Sequence, residues 1–138
     1  MAMKHVDVKV GDSKSLVVFD NLTRTQIVMY AGASGDYNPL HSDELFTTKV
    51  AGYPSVFAHG MLSMGLTGRM LTDWLGPAAL KKFGVRFTRQ VWPGDTLTAR
   101  GEVTDVTEVD GQKLATIKLT TVNQNGEPVV EGEAVAAI

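Results

Sequence analysis

Two turn signals constrain the fold of this chain more than any other feature. Asp110-Gly111 separates the strand-like runs Thr96–Glu108 and Lys113–Asn123, and Asn125-Gly126 leads from the second run into Pro128–Ile138. Asp-Gly and Asn-Gly tolerate positive φ, which tight hairpins require. The C-terminal half therefore reads as an antiparallel meander. Phe83–Val91 adds a strand ahead of it, with Phe83, Val85 and Phe87 on one face, and Trp92-Pro93-Gly94-Asp95 makes a turn or bulge. Near the N-terminus, Val6–Val10 and Leu16–Phe19 read as two short strands.

Helical patterns fill the space between. Thr23 and Gln26 have capping-box spacing, in which each side chain satisfies an otherwise orphan backbone N–H. Ile27, Tyr30, Ala31 and Ser34 then recur along one helical face. One or two helical turns are expected over Asp43–Val50, with Asp43 as N-cap. In Gly60–Leu75, the residues Met61, Leu62, Met64, Leu66, Met70, Leu71, Trp74 and Leu75 surround most of the helix, the pattern of a buried one. Gly65 and Gly68 lower its helix propensity, so close backbone packing is expected at both. Met61, Met64 and Met70 are assigned to the core. One apolar helix and a meander pack most economically with the helix in the concave face of a curved sheet, an α+β arrangement.

Composition narrows the function. With 138 residues, 43% hydrophobic and 20% charged, the chain suits one globular domain over 1–138. It has no cysteine, which excludes disulfide scaffolds, thiolate metal sites and cysteine nucleophiles. A net charge of −2 offers no excess of positive charge for a phosphate backbone, so nucleic acid is not an expected partner. The N-terminal stretch has no apolar core of a secretory signal, and no apolar run approaches the ~20 residues of a membrane helix. A cytoplasmic location without membrane association is the expectation.

Chemistry concentrates between residues 30 and 61. From Gly35 to Ala58 regular periodicity is lost, and long irregular connections in compact domains are usually functional. Asp36 and His41 flank Asn38-Pro39. Proline fixes its own φ and pushes Asn38 towards extended geometry, so the chain is bent and stiff. Such a bend can bring a carboxylate and an imidazole to one pocket, and two proton-exchanging groups side by side suit the addition or loss of water. Asn38 can hold a water or orient a partner. Ala58-His59-Gly60 directly precedes the apolar helix. The first N–H groups of a helix lack internal partners and carry the positive end of its dipole. A glycine there admits a carbonyl oxygen closely, as an oxyanion hole must.

Plainer readings stand beside these. Asp36 and Asn38 can be simple turn formers, and His59 a structural donor or helix-start residue. Arg86 and Arg89 could contact a phosphate, yet charges paired along a strand more often form a solvated face. Asp36, His41, Asp43 and Glu44 have no recognised ligand spacing, so no metal is expected.

The stretch Tyr30–Asp43 resembles the hydratase-2 motif of MaoC-like (R)-specific enoyl-thioester hydratases, with its G-D-x-N-P-[LI]-H core at Gly35–His41. Ala58-His59-Gly60-Met61 matches the A-H-G-M segment of that family. Val85-Arg86-Phe87 and Val91–Leu97 resemble its later strand motif, and Gln90 departs from it where many relatives carry proline. The matches span nearly the whole chain in order. This resemblance implies a hot-dog fold, an antiparallel sheet wrapped around a long central helix and dimerising through sheet edges. It implies Asp36 and His41 as the catalytic pair and the Gly60 N–H as oxyanion donor. Ser34, Asn38, His59 and Arg86, within the matched segments, are the candidate substrate-binding residues. The implied reaction is reversible hydration of trans-2-enoyl thioesters to (R)-3-hydroxyacyl thioesters, carried on coenzyme A or acyl carrier protein, with no metal or redox cofactor. Ala58–Gly65 and Gly84–Thr88 look especially close to β-type subunits of mycobacterial 3-hydroxyacyl-thioester dehydratases, which pair with a related non-catalytic subunit. A homodimer or a heterodimer with a related hot-dog subunit is therefore expected. Two other functions share the fold: a hot-dog acyl-thioesterase, which the Asp36…His41 spacing argues against, and a non-catalytic binding subunit, which should lack the pair. Which of the two residues is the base stays open at this level.

Overall fold

The structure is a computed structural model and describes residues 6–138. Strands β1 (Ser13–Phe19), β2 (Leu80–Phe87), β3 (Leu97–Val109), β4 (Gln112–Val122) and β5 (Pro128–Ala137) form one antiparallel sheet in the order β1-β3-β4-β5-β2. Helices α1 (Arg24–Ser34) and α2 (Gly60–Leu75) lie between β1 and β2, separated by a 3-10 turn at Pro39–His41 and a π turn at Phe46–Val50. Among the described residues no helix is long and apolar enough to cross a membrane.

The meander forms where the turn residues place it. Val109 pairs with Gln112 across Asp110 and Gly111, whose φ values of 51° and 78° are the left-handed pair a two-residue hairpin needs. The next connection is longer. Val122 pairs with Pro128, and Asn123 Oδ1 accepts the N–H groups of Asn125 and Glu127 to hold the loop.

Helix α2 packs on β1, β2, β3 and β5. Its buried residues are Ser63, Thr67, Met70, Leu71 and Leu75, a single helical face. Two hydroxyls lie inside this apolar contact. Thr67 Oγ1 donates to the Ser63 carbonyl at 2.9 Å, so Thr121 supplies the proton of the 2.6 Å bond between the two threonine oxygens. Helix and sheet pack tightly at Gly101 of β3, where an added Cβ would stand 3.0–3.3 Å from Ile117, Met70 and Trp74.

The hot-dog arrangement is as expected, and four details differ. Val6–Val10 is not a strand. Asp12 accepts the Lys9 N–H and bends the chain, and regular pairing starts only at Ser13. The strand expected over Phe83–Val91 runs instead from Leu80 to Phe87. Helix α2 is not buried all round: Met61, Gly65, Arg69 and Asp73 form an exposed stripe, with Met61 55% exposed and Met64 half-buried, so only Met70 of the three methionines is fully in the core. Finally, Gly68 does pack against Phe83, whose ring would lie 3.1 Å from an added Cβ, but Gly65 faces open space.

Gly101→Val is expected to destabilise the fold by about 1–3 kcal/mol, because overpacking at a closed contact forces strain. Urea unfolding should show a lower midpoint at unchanged slope. An unaltered midpoint would mean that Met70 and Trp74 yield without cost.

Candidate active site

The site is assembled by a chain of local backbone bonds. The capping box of α1 forms: Thr23 Oγ1 accepts the Gln26 N–H at 3.1 Å, and Gln26 Oε1 accepts the Thr23 N–H at 2.9 Å. Eleven residues on, α1 stops at Gly35, whose φ of 76° reverses the chain. Ser34 Oγ then accepts the Asp36 N–H, Asp36 Oδ1 accepts the Asn38 N–H, and Asn38 Oδ1 accepts the Leu40 N–H. These are turn contacts, so Asp36 and Asn38 do form the turn that their plainer reading gives them, and Ser34 contributes a contact of the same kind. Asn38 caps the 3-10 turn that delivers His41, and Pro39 opens that turn. Asp43 Oδ1 accepts the Phe46 N–H as the expected N-cap.

The outcome is an exposed Asp36 beside a buried His41. The His41 Nδ1 lies 2.6 Å from the Phe57 carbonyl oxygen. A carbonyl can only accept, so Nδ1 carries the proton and Nε2 keeps the lone pair of the neutral ring. His59, 2% exposed, stacks on His41 with centroids 3.8 Å apart and planes 25° from parallel. Its Nε2 lies 3.0 Å from the Asp36 carbonyl oxygen, so Nε2–H is the donor there. Tyr30 meets His59 edge-on, and Phe57 meets His41 in the same way. A carboxylate oxygen of Asp36 and one ring nitrogen of each histidine all lie within 4.8 Å of one another. Among the described residues no direct hydrogen bond joins the Asp36 carboxylate to His41. A gap of this size is one that a single water can bridge.

Burial pushes the pKa of His41 below the usual 6.5, and neighbouring His59 adds to this. The Phe57 carbonyl and the Asp36 carboxylate pull the other way without reversing it. Near neutral pH the ring is therefore an uncharged proton acceptor.

The second element lies at the start of α2. His59 is the N-cap and Gly60 the first helical residue. Among the described residues the Gly60 N–H bonds no acceptor. Gly60 lines a cleft of about 300 Å³ together with Phe57, Ala58, Ser63, Phe87 and Val129, with residues 88–91 closing one side. The need for glycine here is steric. Gly60 does not have positive φ, but an added Cβ would stand 2.8 Å from the Phe87 ring. Asp36 and His41 are not in the cleft lining; Phe57, shared between the two, adjoins both.

Arg86 is not brought to this place. Alternation along β2 turns it to the face opposite Phe87, where it is exposed and pairs with Glu131 at 3.3 Å. Arg89 pairs with Glu127 at 2.7 Å. Two residues that the sequence reading does not single out as functional matter. Phe57 fixes the His41 tautomer through its carbonyl, and Phe87 covers Gly60. The first acts through its backbone and leaves no trace in side-chain pattern, whereas the second shows only as an apolar residue at the strand end.

Residues 5–125 match the family model described as MaoC like domain, and the chain belongs to this family. It is 35% identical to an (R)-specific enoyl-CoA hydratase of Rhodospirillum rubrum over 134 residues, covering 96% of this chain and 89% of that protein. It is 42% identical over 82 residues to 3-hydroxyacyl-thioester dehydratase Y of Mycobacterium tuberculosis, but that covers 57% of this chain and only 28% of the relative. Among solved structures, the (R)-hydratase from A. caviae involved in PHA biosynthesis superposes with a TM-score of 0.81 at 30% identity, over 94% of this chain and 96% of that one. A chain of the ChsH1-ChsH2 complex of Mycobacterium tuberculosis superposes with a TM-score of 0.76 at 28% identity, over 96% and 99%.

The depressed pKa of His41 links stability to pH. The unfolded chain protonates this residue at about 6.5, the folded chain only at lower pH, so the unfolded state binds more protons in between. The contribution is complete above pH 6.5 and declines as pH falls towards the folded pKa. Urea midpoints compared at pH 7.5 and 5.5 should fall further for the wild-type chain than for His41→Gln. Equal falls would show that His41 is not held below its normal pKa.

Proposed function

We propose that this protein hydrates trans-2-enoyl thioesters to (R)-3-hydroxyacyl thioesters, and catalyses the reverse dehydration. The observation that carries this reading is the convergence of Asp36 and His41 within 4.8 Å, with His41 stacked on His59, the N-cap of the helix whose first residue, Gly60, lines a cleft. A water held between the carboxylate and the free Nε2 of His41 attacks C3 of the substrate. His41 takes one water proton as the C–O bond forms. The C2=C3 electron pair moves towards the thioester, and the Gly60 N–H stabilises the oxygen on which charge collects. The pair then returns a proton to C2 and the carbonyl re-forms, so the net change is one water. The Nδ1–H bond to Phe57 makes His41 the acceptor in the first step, and Asp36 orients the water and offsets the imidazolium charge.

The reaction requires no metal. Asp36, His41 and His59 are close enough to suggest ligands, but the near-parallel stack keeps the in-plane lone pairs of the two rings from converging on one ion. Coenzyme A or acyl carrier protein enters only as part of the substrate. The assembly in this reading is a dimer of hot-dog subunits, identical or related, in the cytoplasm. Edge strands β1 and β2 each have one unpaired side in the described sheet, and natural proteins cover such edges. The whole chain forms one such domain.

Asp36→Asn and His41→Ala should each lower turnover roughly 10²–10⁴-fold, the range of an acid–base group, with circular dichroism and melting temperature little changed. The assay follows loss of crotonyl-CoA absorbance, with a thiol reagent run in parallel. Release of free thiol without loss of the enoyl chromophore would make the protein a thioesterase, and near-normal turnover in either variant would remove the pair from the mechanism. Gly60→Val should cost kcat/KM about 3 kcal/mol, as for loss of one oxyanion donor. Adding Phe87→Ala removes the collision at 2.8 Å and should restore stability but not rate, since the new side chain still crowds the thioester oxygen. Recovery of both would reduce Gly60 to a packing position.

A further inference from the structure

His59 is a buried titratable group that the mechanism above does not use. Three observations make it more than the start of a helix. It is 2% exposed, yet its ring lies flat on the catalytic imidazole, with centroids 3.8 Å apart. Its Nε2–H donates to the backbone carbonyl of Asp36 at 3.0 Å, across 23 positions of sequence. Its Nδ1 is buried with no hydrogen-bond partner. A buried acceptor without a partner is costly, so simple structural economy does not account for an imidazole at this place.

We propose that His59 is the positioning residue that joins the two halves of the active site. This inference rests on the hydratase reading and deepens it. The residue belongs to α2, next to the oxyanion donor Gly60, and its donor grips the turn that carries Asp36. Beside that bond, the turn is tied to the α2 start by the His41 ring stack and by the His41–Phe57 and Leu40–Phe57 bonds. The flat face of His59 meanwhile fixes the plane of His41, on the side opposite to none of its hydrogen-bonding edges, so stacking orients the ring without competing for Nδ1 or Nε2. The bare Nδ1 fits this role. With its donor on the Asp36 carbonyl and its other nitrogen unpartnered, the ring makes the one hydrogen bond that the proposal uses. The titratable groups that face it are His41, Asp36 and Tyr30. Substrate contact is not its role, since the side chain is covered.

Two variants divide the functions of the ring. His59→Gln places an amide donor near the former Nε2 and loses the stack. His59→Phe keeps the stack and loses the donor. If the donor positions Asp36, His59→Phe should lower kcat about 10²-fold, the scale of a misplaced reacting group, with KM within about threefold. His59→Gln should recover most of that loss. A rise in KM at unchanged kcat in His59→Phe would assign His59 to substrate binding and overturn the proposal, as would equal activity of His59→Phe and wild type. Loss of rate in both variants to the same extent, at native melting temperature, would also overturn it. A reading independent of activity comes from long-range 1H–15N spectra of the wild-type imidazoles. The proposal requires a proton on His59 Nε2, bonded to the Asp36 carbonyl; a ring whose Nε2 carries no proton would overturn it even if the variants fail to fold. Absence of hydratase activity in the wild-type chain with the Nε2–H tautomer present would instead defeat the functional reading and leave the geometry intact.

Discussion

Helix α2 does two jobs, and the first makes the second possible. From Ser63 to Leu75 one face is sunk into the concave sheet, with Met70 and Leu71 essentially inaccessible. Burial of several large apolar side chains, each worth about 1.5–3 kcal/mol, leaves the helix no freedom to slide. Its first residues project from this anchor: His59 as N-cap and Gly60 as the first residue of the helix. The anchored helix thus presents, at this end, backbone N–H groups that have no internal partners. The apolar lock determines where the donor points.

Asp36 and His41 reach the start of this helix by a different route. Neither Asp36 nor His41 stands on a long regular element. Each is placed by hydrogen bonds to main-chain atoms: Asp36 through the Ser34 hydroxyl and the His59 imidazole, His41 through the Phe57 carbonyl and the capped 3-10 turn. Phe57 in turn is tied by its N–H to the Leu40 carbonyl, and Ala58 by its N–H to Val91. The irregular stretch between α1 and α2 is thus long but not loose. Its length is spent in passing beside the α2 start and returning to it.

This division explains what could be read from the residues alone. The hairpins, the capping box and α2 were legible because each depends on local chemistry: positive φ at Asp110-Gly111, reciprocal bonds at Thr23 and Gln26, apolar spacing from Met61 to Leu75. The meeting of Asp36 with His41 was legible through the stiff Asn38-Pro39 bend and the resemblance around it. The exposed side of α2 was not, because apolar content around a helix does not reveal which side the sheet covers. Val6–Val10 alternates like a strand but lacks a partner, and only the position of β3 decides that. Phe57 was illegible for a deeper reason. A carbonyl oxygen is present at every residue, so a site built on one carries no residue-type signal.

The electrostatics of the pair follow from unequal exposure. His41 is buried, which disfavours its charged form, while Asp36 is exposed to water. A base wholly in apolar surroundings would be a poor one, since the proton it accepts creates an unsolvated cation. A base fully in water would gain that proton before the substrate arrived. Here the carboxylate lies close enough to favour the imidazolium, but not enough to cancel the burial that keeps the resting ring neutral. The stacked His59 tips the balance the same way as burial. In the proposed reaction, the charge that His41 would acquire as water attacks would therefore meet a carboxylate already in place, with no rearrangement of the pocket at the moment of reaction.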